Sequence, residues 1–226
     1  PAPLNPDALD IVLTIAKMFD MTPLPEIHTM RKMIVDGSAT SGFQRTALVA
    51  LNGAIGHACR VETVAVEEEA CQRVEDTIFS VDRLGIPLIE VTTSPCMKTP
   101  EEVHDIAQYI GMTLRSTGRV KRGLGTIRQD VNVSIRDGAR VEIKGVQELD
   151  LIAEVVRREV QRQLSLLAIK DELLARKALV NGEVYDVTSV FSKTGSQVLK
   201  KARVILGTVL HGFNGLVGLE IQPDRR

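Results

Sequence analysis

Five residues in one short stretch have the types that phosphate and divalent-metal chemistry needs: Arg128, Asp130, Asn132, Glu142 and Lys144. Carboxylates bind a hard cation such as Mg²⁺, and Arg and Lys bind phosphate oxygens. The five share a surface only if residues 123–147, GLGTIRQDVNVSIRDGARVEIKGVQ, fold as a hairpin. The pattern predicts one. Ile127, Val131, Val133 and Ile135 alternate with polar residues; Asp137-Gly138 interrupts them, and Val141 and Ile143 resume the alternation. The predicted strands are 126–136 and 139–146. A two-residue turn would set Ser134 against Val141, polar against apolar. An odd-length loop centred on Gly138 instead pairs Ile135 with Val141 and Val133 with Ile143, so that register is expected. Ser134 then faces Glu142, and Asn132 faces Lys144. A solvated sheet face has the same composition, but Asp and Asn in mid-strand are unfavourable without a further role.

Three other places carry candidate chemistry. Glu67-Glu68-Glu69 follows an alternating segment, Val61 to Val66. If that segment is extended, Glu68 shares the face of Val64 and Val66, which is costly without a cation or a basic partner. Glu90 is the single acid in the buried-strand pattern Ile86 to Val91, and reads equally well as salt-bridged or functional. Arg31-Lys32 precedes a loop containing Asp36-Gly37-Ser38 and Ser41-Gly42. Such a loop can cradle phosphate, although it lacks the Walker A spacing and has the composition of an ordinary loop.

Helices are signalled by their caps. Asn5-Pro6-Asp7 opens one with Leu9, Val12, Ile15, Ala16 and Phe19 on its apolar face. Thr99-Pro100-Glu101-Glu102 is a capping box for another. Leu149 to about Arg176 is a long amphipathic helix expected to cover the hairpin's apolar face. Beyond Asn181-Gly182 the pattern changes: Val184 to Val190 and Val204 to Leu210 read as strands, and Ser196 to Arg203 as a short helix, with a boundary near Leu179. The expected fold class is α+β, an antiparallel sheet with packed helices.

Bulk properties narrow the classes. The chain has 226 residues, 44% hydrophobic and 25% charged, enough for a substantial core. No apolar run approaches the roughly 20 residues of a membrane span, and the start does not read as a signal peptide. The net charge of −1 leaves nucleic-acid contact to a local patch, and aromatics at 3% argue against base-stacking platforms. Cys59, Cys71 and Cys96 share no metal-type spacing and are expected to be free thiols in a reducing cytosol.

In this order, MRKMIVDGSATSGFQRT, VEEEACQRVE, DRLGIPLIEVTT and the hairpin stretch closely resemble the GatB/GatE family. These are the E subunits of archaeal glutamyl-tRNA(Gln) amidotransferases and, more distantly, the bacterial B subunits. The resemblance spans nearly the whole chain. It implies a glutamine synthetase-like catalytic domain over 1–178, and over 179–226 the start of an inserted domain resembling that of bacterial aspartyl-tRNA synthetase. It also implies a longer polypeptide, because the family's first strand, with its Glu-x-His element, and its C-terminal tRNA-gripping domains do not appear here.

The implied activity is ATP- and Mg²⁺-dependent conversion of Glu-tRNA(Gln) to Gln-tRNA(Gln). The tRNA-bound glutamate is phosphorylated, and ammonia from an amidase partner, the D subunit, then displaces phosphate. The implied assembly is a cytoplasmic heterotetramer of two D and two E subunits, with no membrane. Glu67 and Glu68 match the family's metal-binding pair. Asp130 and Glu142 are further candidate metal ligands. Glu67, Glu68, Glu142 and Arg128 are the expected catalytic residues; Arg31, Lys32, Ser41 and Lys144 are the expected nucleotide contacts. The mechanism predicts that the 67–68 carboxylates approach the hairpin's polar face. No Cys or Ser has an evident paired base, consistent with ammonia from a partner. From the residues alone, two alternatives stand: a non-catalytic RNA-binding or scaffolding module, and another ATP-dependent carboxylate–amine ligase.

Overall fold

A computed structural model describes residues 2–35, 42–57, 59–123 and 125–221. Two compact units divide the chain: Pro1–Asp130 with Lys144–Glu154, and Val131–Ile143 with Val155–Arg226.

The first unit opens with helix α1, Pro6–Met18. The Asn5 side chain accepts from the Ala8 amide and Pro6 takes the first helical position, as the sequence predicts. Strands β1 (Thr22–Pro23), β2 (Thr29–Met33), β3 (Phe43–Ile55) and β4 (Cys59–Glu68) follow. Next come a small hairpin, β5 (Gln72–Glu75) and β6 (Ile78–Ser80), and then β7 (Pro87–Thr93). The main sheet is antiparallel throughout, in the order β1-β3-β4-β7, with β2 also on β3. Helix α2, Pro100–Ser116, begins at the expected capping box: Thr99 accepts from the Glu102 amide, and Glu102 accepts from the Thr99 amide. Val12 and Ile15 of α1, with Phe19 at its C-terminal cap, pack with Val49, Val61, Val64 and Val66 of the sheet and with Ile106 and Leu114 of α2. Gly53 is required by close approach. A Cβ there would lie 2.6 Å from the Phe19 carbonyl oxygen.

The β3–β4 pairing has one irregularity. Leu48 pairs with Ala65, but Ala50 pairs with Val64, so Val49 is the extra residue of a bulge. Ala47, Val49 and Ala50 are all buried around it.

One cysteine expectation is overturned. Cys59 and Cys96 form a disulfide with Cα atoms 5.3 Å apart, while Cys71 is free. The β4–β7 pairing brings Val61 opposite Thr93, and the Ser94 amide donates to the Arg60 carbonyl. The two cysteines, 37 residues apart, therefore meet through tertiary pairing, and their spacing carries no sign of it.

The second unit contains β8 (Val131–Val133) and β9 (Val141–Ile143), a two-stranded antiparallel pair. The predicted hairpin exists, but it is shorter than 126–136 and 139–146 and forms its own sheet. Its register is displaced by two residues: Val133 faces Val141, Asn132 faces Glu142, and Val131 faces Ile143. A two-residue shift keeps the buried face intact, so hydrophobic patterning cannot resolve it. The turn decides. The Gly138 amide donates to the Ile135 carbonyl and Asp137 takes φ +65°, which centres the loop on Asp137 rather than Gly138.

After a short turn, Leu149–Leu151, helix α3 runs Ile152–Ala175, close to the expected span. Its Gln163, only 3% exposed, holds the end of β8. Gln163 Nε2 donates to the Val133 carbonyl at 3.2 Å, and Gln163 Oε1 accepts from the Ile135 amide at 3.3 Å. A Cβ on Gly138 would lie 2.5 Å from Gln163 Oε1, so a side chain there would push Gln163 off the contacts it makes with β8.

Further on, β10 (Leu179–Val180), β11 (Tyr185–Asp186), helix α4 (Gln197–Lys201), β12 (Leu206–Gly207) and β13 (Leu210–His211) form small pairs, β10 with β13 and β11 with β12. The strands expected over 184–190 and 204–210 are broken. A 3₁₀ turn, Thr188–Phe191, ends the first, and the second divides between two partners.

Candidate functional site

Strand periodicity sorts the candidate residues before any side chain is placed. Along β4, Glu67 and Glu68 point to opposite faces. Along β2, Arg31 and Lys32 do the same. The register puts Lys32 opposite Gln44, Thr46 opposite Glu67, and Ala65 opposite Glu90. Lys32, Glu67 and Glu90 therefore share the sheet face that points away from α1. Arg31 pairs with Arg45 and Glu68 lies beyond Val66, so these share the helix-packed face.

On the first face, Lys32 Nζ lies 2.9 Å from Glu67 Oε1 and 3.4 Å from Glu90 Oε2. Glu67 is 7% exposed. Burial pushes its carboxyl above the usual range; Lys32 works against that rise, and the neighbouring Glu90 adds to it. For Lys32, burial favours the neutral amine, but the hydrogen bond and charge of Glu67, joined by Glu90, outweigh it and raise its pKa. Two carboxylates thus share a single ammonium.

On the second face, Glu68 Oε1 meets Arg45 Nη1 at 3.0 Å. This is the basic partner that a glutamate on the Val64–Val66 face requires. Arg45 also donates to the Ala2 carbonyl, and Arg31 lies over the Phe43 ring, 4.7 Å from its centroid.

The acidic run reaches the 126–130 segment through its third member. Arg128 Nη2 lies 2.8 Å from Glu69 Oε2. Asp130 Oδ2 lies 3.9 Å from Lys144 Nζ. Glu142 stands opposite Asn132 in the second unit, and Ser41 lies outside the described residues. Among the described residues, no three His, Cys, Asp or Glu side chains are arranged to hold a metal ion.

The donor set does fit Mg²⁺ in its common mode. That ion is usually held by one or two carboxylates, the remaining positions going to water and substrate phosphate. Glu67 and Glu90 supply two carboxylates with one ammonium between them, a negative excess on one face. Sequence reasoning left Glu90 undecided. Its role depends on the β4–β7 register, and the only local signal was an acid inside an apolar strand.

The geometry defines a class: an antiparallel sheet backed by helices, whose opposite face carries a cluster of one lysine and two glutamates. The profile described as the GatB/GatE catalytic domain matches residues 1–205, and the chain belongs to that family. Curated relatives named as the E subunit of glutamyl-tRNA(Gln) amidotransferase match its full length. Those of Methanospirillum hungatei, Methanosarcina barkeri and Archaeoglobus fulgidus are 70%, 56% and 53% identical. The chain spans 37–38% of the length of these three relatives. No helix among the described residues is long and apolar enough to cross a membrane.

Proposed function

We propose that this chain carries the carboxylate-activating site of a tRNA-dependent amidotransferase that converts Glu-tRNA(Gln) to Gln-tRNA(Gln). The observation that carries this reading is the Lys32–Glu67–Glu90 cluster on the sheet face away from the core. Family membership supports the tRNA substrate, because relatives bear the name of that activity.

In the proposed reaction an oxygen of the tRNA-bound glutamate carboxylate attacks the γ-phosphorus of ATP. The bond to the bridging oxygen breaks and ADP leaves. Ammonia then attacks the acyl carbon, the C–O bond to phosphate breaks, and the nitrogen loses a proton as the amide forms. Two anions must approach one another in the first step, which demands fixed positive charge. Mg²⁺, when bound, would supply part of that charge against the phosphate oxygens. Glu67 and Glu90 would hold it. Lys32 and Arg128 are the nearby cations, each currently occupied by a carboxylate. Glu68, Asp130, Glu142 and Lys144 remain proposed members of the site from the family resemblance, as do Arg31 and Ser41.

The ammonia source in this reading is an amidase partner, the D subunit, in a cytoplasmic assembly of two D and two E subunits. The helix-backed antiparallel sheet supports a glutamine synthetase-like catalytic part over 1–178. Residues 179–226 would begin the inserted domain resembling that of bacterial aspartyl-tRNA synthetase.

The test is ATP hydrolysis dependent on Glu-tRNA(Gln) by the full-length protein. Glu67→Gln should lower it by roughly two orders of magnitude or more, with thermal unfolding showing an intact fold. Unchanged turnover in the variant would end the proposal.

A further inference from the structure

We infer that Lys32 is a placeholder cation for the Glu67–Glu90 pair, occupying with its ammonium the position that a divalent ion takes and leaving when that ion binds. This rests on the reading of Glu67 and Glu90 as metal ligands.

Three observations carry it. The first is the reach of the side chain. Lys32 is on β2, and Glu67 is on β4, with β3 between them. The two side chains, lysine from one side and glutamate from the other, together bridge two strand spacings, roughly 9–10 Å, to put Nζ 2.9 Å from Glu67 and 3.4 Å from Glu90. A lysine that merely balanced charge would find water closer at hand, because all of β2 is exposed.

The second is an asymmetry of freedom. The Glu67 side chain is 9% exposed, whereas that of Lys32 is 47% exposed and hangs on a four-carbon stem. The Glu67 carboxylate is buried, while Lys32, like Glu90 at 46%, is half-exposed.

The third is charge. Two carboxyl groups, Glu67 and Glu90, face the one ammonium of Lys32. Two other basic side chains are engaged elsewhere: Arg45 with Glu68 on the opposite face, and Arg128 with Glu69. A divalent ion balances both carboxylates at once, so exchange for Lys32 is favourable. The exchange also releases an ammonium beside the phosphate that such an ion brings, a group lysine binds as a point charge.

The experiment measures Mn²⁺ binding to the full-length protein by electron paramagnetic resonance, without nucleotide, at mildly alkaline pH and fixed salt. Lys32→Met removes the competitor and should tighten Mn²⁺ by roughly two- to fivefold, the effect of deleting a half-exposed ion-pair partner. Glu67→Gln should lose the site. In the unaltered protein, Mg²⁺ should accelerate acetylation of Lys32, read by mass spectrometry, because the ammonium is freed. Mn²⁺ affinity unchanged or weakened in Lys32→Met, or acetylation of Lys32 unchanged or slowed as Mg²⁺ saturates, overturns the placeholder. If that happens while Glu67→Gln still abolishes binding, the metal site stands and only the placeholder falls. Normal Mn²⁺ binding by Glu67→Gln would overturn both.

Discussion

Replacing Gln163 with leucine should unfasten the 131–143 hairpin from α3. Gln163 is 3% exposed, and it serves both the Val133 carbonyl at 3.2 Å and the Ile135 amide at 3.3 Å. It also donates to Glu159 Oε1 at 2.8 Å. Leucine has nearly the same volume and fills the space, but it meets none of these groups. A buried donor or acceptor left unmet costs about 1–3 kcal/mol. Two backbone groups are orphaned, and water reaching the half-buried Ile135 recovers part of the loss, so about 3 kcal/mol is expected. That is a little over a hundredfold in the local opening equilibrium. Hydrogen exchange should therefore quicken by roughly that factor at the Ile135 amide, while amides in β3 and β4 stay protected. Unchanged exchange at Ile135, or a loss of stability below about 1 kcal/mol in urea unfolding, would refute the reasoning and show that the hairpin end is held elsewhere.

Two further outcomes follow. Reduction of the Cys59–Cys96 disulfide, or Cys59→Ser, should lower stability by up to about 3.8 kcal/mol, the chain-entropy value for a separation of 37 residues. Denaturant unfolding with and without reductant measures it, and coincident curves for a protein shown to be disulfide-bonded would contradict it. Glu67→Gln should alter the pH profile of stability. The folded-state pKa of Glu67 is raised above its usual 4.5. The folded state therefore holds that proton more tightly, and the wild type loses stability as pH climbs from the usual value through the raised one. The variant lacks that slope, so its stability relative to wild type should rise across this window and level off above it. An identical pH dependence in the two proteins would argue against the assignment.

Features encoded within a few residues were legible in the sequence. Asn5-Pro6 and the Thr99–Glu102 box start their helices as expected, because capping is local chemistry. β4 and β7 were visible as patterns, and so was the parity of the hairpin. The face assignment of Glu68 followed from period two, and Arg45 met the need it implied. Long-range pairing was not legible. The longest strand, β3, passed unnoticed among Gly, Thr and Asn residues, because its β propensity comes from neighbours on both sides. Without β3, neither the reach of Lys32 nor its meeting with Glu67 and Glu90 can be foreseen. The same reasoning shows why Glu67 and Glu68, adjacent in the chain, end on opposite sides of the sheet. The hairpin register failed by two residues because a two-residue slide leaves every side chain on its own face.

The bulge at Val49 gives β3 the character of a reading frame with a built-in shift. Before it, odd-numbered residues such as Ala47 face the helices; after it, the even-numbered Ala50 does. Loss or gain of one residue between Phe43 and Ala50 would cancel or double that shift. It would turn Gln44 and Thr46 toward the core, or dislodge β3 from the register that places Glu67. Substitutions change one side chain at a time and leave the count untouched. Evolution of this strand is thus free in composition and nearly closed in length, and insertions or deletions among family members should accumulate in the connections between strands.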